Sequence, residues 1–149
     1  MARQMDLREA KDDQGRNALH AAAAKGHLEV CRFLVEESGL DVNSTSTDGG
    51  STPVAQAAFA GKVDVLRYLL DHDGNPAMSN HATGITPLHY AAELGDYEAV
   101  RLLLSKGVDV DVLTCRHLTP LQLAAGNGHD QAVKVLLEHG ADGHAMDAH

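Results

Sequence analysis

The chain has no tryptophan, two phenylalanines and three tyrosines, so aromatic residues make up only 3% of its 149 positions. A core built around large rings is excluded. Ala, Leu and Val must supply it, and such small side chains favour closely packed helices. Basic residues are scarce as well: Lys and Arg number 12 against 21 Asp and Glu, a formal charge of −9. That charge repels nucleic-acid phosphates and anionic lipid, so neither nucleic acid nor a membrane is expected as a partner. Cys31 and Cys115 are the only cysteines. They fit a reduced compartment, cytoplasm or nucleus, better than a disulfide framework. No window approaches the roughly 18 apolar residues of a membrane span, and the opening Met1 to Asp6 has no apolar stretch of signal-peptide length. A chain this long buries about two thirds of its unfolded surface, so no disulfide or metal staple is required.

What the chain has is a repeat. Asn17-Ala18-Leu19-His20, Thr52-Pro53-Val54-Ala55, Thr86-Pro87-Leu88-His89 and Thr119-Pro120-Leu121-Gln122 begin 35, 34 and 33 residues apart. Each is followed by a small pair (Ala22-Ala23, Ala57-Ala58, Ala91-Ala92, Ala124-Ala125), then by Gly26, Gly61, Gly95 or Gly128, and then by a second apolar block. Two short helices per unit follow from this pattern. Thr before Pro supplies an N-cap hydroxyl and a first helical residue whose missing N–H is no loss. The Ala pairs let helices approach closely. Gly39, Gly107 and Gly140 end the second helix, where a left-handed residue is usually needed, and Asp73 stands in that slot in the second unit. His117 likewise stands where the other units carry Gly15, Gly50 and Gly84.

This pattern resembles the ankyrin repeat, with its period of about 33 residues and its Thr-Pro-Leu-His marker followed by Ala pairs. The resemblance covers residues 12 to 146. More loosely, stretches such as Gly26 to Glu37 resemble plant proteins that carry ankyrin repeats ahead of a tetratricopeptide region. It implies an all-α ankyrin-repeat solenoid of four helix-turn-helix repeats joined by short inter-repeat turns. The expected divisions are a partial capping helix over 1–11, repeats at 12–46, 47–80, 81–113 and 114–146, and a tail at 147–149. Each unit of such a stack contacts only its neighbours, and a concave face is lined by turns and inner helices.

Other constellations are better read as structure than as chemistry. Arg32, Arg67, Arg101 and Lys134 recur in one outer-helix slot, with Glu29, Asp64, Glu98 and Gln131 three residues earlier. A solvated face with i,i+3 acid–base pairs explains them without a phosphate ligand. Ten histidines invite a metal site, especially His139, His144 and His149 and His117 close to Cys115, but only isolated fragments of the paired C-x2–4-C and H-x3–5-H spacing of structural zinc appear. The resemblance gives His20 and His89 a local bond and a bond to the next unit, and places His27 and His129 at the start of second helices. No nucleophile, base and orienting group coincide. Neither an enzyme nor a cofactor or metal is expected.

Slots in which the fold demands nothing carry the functional expectation. In ankyrin proteins the turn tips, and the two residues before the helix-linking Gly, face a partner. Here Phe59, Ile85, Leu94 and Leu118 occupy such slots, and Arg16, Lys25, Asp48, Ser51, Glu93 and Arg116 flank them. An apolar strip with a polar, charged rim is the anatomy of a protein-binding site. The expected function is therefore non-catalytic protein binding on the concave face, with a structural spacer inside a larger protein as the alternative. The fourth unit keeps Ala132, Val133, Val135, Leu136 and Leu137 apolar, and residues 1–11 offer little cover. Self-association through under-capped ends is expected on that ground.

Overall fold

Each Thr-Pro signature opens a helix through its own side chain. The hydroxyls of Thr52, Thr86 and Thr119 accept from the N–H groups of Ala55, His89 and Gln122 at 3.2, 3.4 and 3.1 Å, and Asn17 does the same for His20 at 3.1 Å. These caps start α1 (Ala18–Lys25), α3 (Pro53–Ala60), α5 (Pro87–Leu94) and α7 (Pro120–Gly126). The apolar blocks form the second helix of each pair, α2 (Leu28–Glu36), α4 (Val63–Asp71), α6 (Tyr97–Ser105) and α8 (Asp130–Glu138). The computed structural model describes residues 11–13, 15–47 and 49–143, and among these there is no strand. Except for Lys11, the capping helix expected over 1–11 lies outside the described residues, as does the tail at 147–149.

The chain divides into two compact units, Met1–Asn75 with α1 to α4 and Pro76–His149 with α5 to α8. Within each unit the inner helices lie side by side, α1 on α3 and α5 on α7, and the outer helices pack likewise, α2 on α4 and α6 on α8. The Ala pairs explain the close inner contact: Ala23, Ala57, Ala91 and Ala92 have no exposed surface. Leu19, Leu66, Leu69, Leu88, Leu103, Leu121 and Leu136 fill the cores, each side chain contributing roughly 1.5–3 kcal/mol by leaving water.

Histidine ties one repeat to the next inside each unit. The Nε2 atom of His20 donates to the Ser51 carbonyl at 3.0 Å, and that of His89 to the carbonyls of Val112 and Leu118 at 3.0 and 3.1 Å. Their Nδ1 atoms accept from the N–H groups of Asn17 and Thr86 at 3.1 and 3.0 Å, so the partners assign the proton to Nε2. Ala55 has no imidazole with which to do this. Two non-glycine residues adopt left-handed backbone, Asp73 (φ 72°) and His117 (φ 65°), both in slots that carry glycine in other repeats.

One expectation is corrected. Of the acid–base pairs three residues apart on the outer helices, only Arg32 with Glu29 (3.5 Å) forms among the described residues. Arg101 lies over the Tyr97 ring instead, 5.8 Å from its centre, which explains the difference there. In α8 Ala132, Val135 and Leu136 are buried, Val133 is half-buried and Leu137 is exposed.

Candidate functional site

In the second unit two turn tips are held side by side above the inner helices. The side-chain oxygen of Asn80 accepts from the N–H groups of Ala82 and Thr83 at 2.8 and 3.2 Å, shaping the first tip. The hydroxyl of Thr114 accepts from those of Arg116 and Leu118, both at 3.2 Å, shaping the second. The N–H of Cys115 donates to the Thr83 carbonyl at 2.8 Å and ties the tips together. A Cβ on Gly84 would lie 2.8 Å from that same nitrogen, so only glycine lets the tips come this close.

Below the tips the chain enters α5 and α7, and the residues just before each cap turn their side chains into the space between the helices. A cavity of about 320 Å³ results. Ile85, Leu118 and Leu123 give it an apolar lining, together with the His89 ring, while Thr83, Thr114, Cys115 and Arg116 line the tip side. Glu93 lines it from the last turn of α5. That turn is anchored, because the Glu93 carbonyl accepts from His129 Nε2 at 2.9 Å and from the Asn127 amide at 3.4 Å. Burial lowers the pKa of His89 below the ordinary value of 6.5, against an opposing pull from the Leu118 and Val112 carbonyls that its Nε2 bonds. The ring is therefore a neutral, structural part of the cavity.

The structure brings four of the sequence-selected residues into this one cavity: Ile85, Glu93, Arg116 and Leu118. Leu94 does not line it. That residue sits at the end of α5, 48% exposed. Arg16, Lys25, Ser51 and Phe59 belong to the other unit, and Asp48 lies outside the described residues. Phe59 is 61% exposed at the end of α3, and Lys25 is exposed at the end of α1. Arg16 and Ser51 are engaged locally. The Arg16 guanidinium pairs with Asp12 at 3.0 Å, and the Ser51 hydroxyl accepts from the Gln56 amide at 3.0 Å while its N–H donates to Ser46.

These local bonds provide an internal control. Ile85 and Leu118 hold the slots that Arg16 and Ser51 hold in the first unit, and Leu123 holds that of Gln56. The same inner-helix geometry thus tolerates a polar set, with Gln56 bonded to Ser51 and Arg16 paired with Asp12, and the apolar set in the second unit is not imposed by the repeat. Leu123, Thr83, Thr114 and Cys115 line the cavity but are absent from the residues selected by sequence. The available signal for Leu123 was its slot, which reads Ala21, Gln56, Tyr90 and Leu123 along the chain.

Other chemistry has little foothold. Among the described residues no group of three His, Cys, Asp or Glu side chains could hold a metal ion. No described helix is long and apolar enough to cross a membrane. Both cysteines are free; Cys31 is fully buried, its thiol pushed up to about 11 by desolvation, and Cys115 is exposed.

The sequence matches a family model described as ankyrin repeats (3 copies), over residues 3–80 and again over 73–147. No curated protein matches it.

Proposed function

Because this chain belongs to the ankyrin-repeat family, whose members are in general protein–protein interaction modules, we propose that it binds another protein without catalysis, and that the second-unit groove is the centre of its docking face. The observation that carries this reading is the contrast between units. Slots filled by Arg16, Ser51 and Gln56 in one are filled by Ile85, Leu118 and Leu123 in the other, half-buried and rimmed by Glu93 and Arg116. Half-exposed apolar side chains that the fold does not require gain from a partner that removes them from water. A spacer segment would do equally well with the polar set.

Leu94, at the end of α5, extends the proposed face, and Arg16, Lys25, Asp48, Ser51 and Phe59 of the first unit are further candidate contacts chosen by their slots in the repeat. Two free cysteines suit the reducing cytoplasm or nucleus as its place of work. The test is capture of partners from a cell extract by the full chain beside its Leu118→Asp, Leu94→Asp and Phe59→Ala variants. A band held by the parent and lost from Leu118→Asp, with thermal midpoints unchanged, supports the groove. A band retained by all three variants removes it.

A further inference from the structure

Resting on that docking reading, we infer that the occupant of the groove is an extended peptide segment of the partner. One aliphatic side chain lies on Ile85, Leu118 and Leu123, an acidic residue meets Arg116, and a basic residue meets Glu93. The aliphatic and the basic residue stand three or four positions apart in the segment.

The charges come first. Arg16 pairs with Asp12 and Arg32 with Glu29 and Glu36, whereas Arg116 has no carboxylate within ion-pair distance among the described residues. It is an exposed cation at a tip whose backbone is fixed by Thr114. Glu93 is exposed on the last turn of α5 and likewise has no cationic side chain paired with it there. Its backbone is held by His129 and Asn127. Two fixed, opposite, unmatched charges border one apolar floor, and a partner with the reverse order satisfies both. The chain's charge of −9 adds a long-range pull on the basic end.

The span sets the spacing. Ile85 precedes α5 and Glu93 lies in its last turn, eight residues further on. At about 1.5 Å of rise per residue that separation is roughly 12 Å. An extended chain advances about 3.3 Å per residue, so three or four residues cross it. A helical ligand would need about eight residues between its aliphatic and basic side chains to cross the same span. The volume lies at the low end of ligand pockets, enough for one aliphatic side chain and the backbone around it.

Selection of a random dodecapeptide display library on the full chain tests this. Enriched peptides should carry an aliphatic residue between an acid and a base, with the aliphatic three or four positions from the base. The best of them should bind Arg116→Glu about tenfold more weakly and recover when its acid is changed to Lys. Because Arg116 is exposed, that swap does not depend on how well a Leu118→Asp variant folds. Peptides that lose binding with Leu118→Asp, yet tolerate neutralisation of both charges, would refute the partner chemistry and leave the docking reading standing. Peptides indifferent to Leu118→Asp in a folded variant would refute both. An aliphatic and a base seven or eight positions apart would replace the extended segment by a helix. Failure to enrich any peptide, or self-association of the chain that Leu118→Asp abolishes, would overturn the proposal, the latter in favour of a second copy.

Discussion

Replacing His117 by glycine should stabilise the protein, although it removes a whole side chain. The residue is exposed, so little packing is lost, and its φ of 65° places an L-amino acid in the left-handed region. In the equivalent slot Gly15, Gly50 and Gly84 have φ of 75°, 82° and 72°. A left-handed L-residue costs about 1–2 kcal/mol, with His toward the lower end because it enters that region more readily than most. Glycine returns about 0.5–1 kcal/mol through the freedom it adds to the unfolded chain. The net gain is about 0.5 kcal/mol, or 1–2 °C in thermal midpoint for a domain of roughly this size. Gly84→Ala is the opposite case. It carries the same strain and would also drive a Cβ to 2.8 Å from the Cys115 nitrogen, so the tip-to-tip bond to Thr83 must yield as well. Its cost should be about 2–3 kcal/mol. Calorimetry together with urea titration reads both values. A lower midpoint for His117→Gly would show that the imidazole makes a contact worth more than the strain, and the reasoning from the glycine slot would fall.

Acid should weaken the fold through His20 and His89. Both have pKa values lowered by burial, so above about pH 6.5 folded and unfolded chains carry them neutral; below it the unfolded chain binds protons that the folded one refuses, and stability falls by up to about 1.4 kcal/mol per pH unit for each ring. Urea midpoints between about pH 7.5 and 5.5 should therefore drop, less steeply for His89→Gln; an unchanged slope in that variant would remove His89 from the account. Leu103→Ala should cost about 2–5 kcal/mol because Leu103 is fully buried, whereas Leu94→Asp and Phe59→Ala should stay within about 0.5 kcal/mol, and equal losses for Phe59 and Leu103 would make the ring part of the core. A maleimide should label Cys115 in the native protein and reach Cys31 only in denaturant; prompt labelling of both would contradict the burial of Cys31.

The helices and their order follow from local chemistry that neighbours in sequence can express. Thr or Asn at each cap, proline at the first helical position, Ala pairs and glycine stops recur at a spacing of 33 to 35 residues, so helix starts, helix ends and the two exceptional left-handed residues Asp73 and His117 were legible before any coordinates. Phe59 and Leu94, in the two slots before the helix-linking glycine, are 61% and 48% exposed, and none of the residues in those slots in the other repeats is buried.

The groove was only half legible. Ile85, Glu93, Arg116 and Leu118 came from slot comparison, but Phe59 and Leu94, drawn into the same strip, do not share the cavity, and Leu123 was not anticipated. Where side chains from two repeats converge depends on how closely the tips approach, and that distance is decided by the Cys115–Thr83 bond over Gly84. Arg16 and Arg116 are the same residue type at turn tips, yet one finds Asp12 four residues away while the other finds no acid within reach among the described residues. Sequence spacing within a turn determined which backbone each repeat would adopt and that Arg16 has an acid four residues away; the tertiary packing of one tip against the next decided which apolar side chains converge in one cavity.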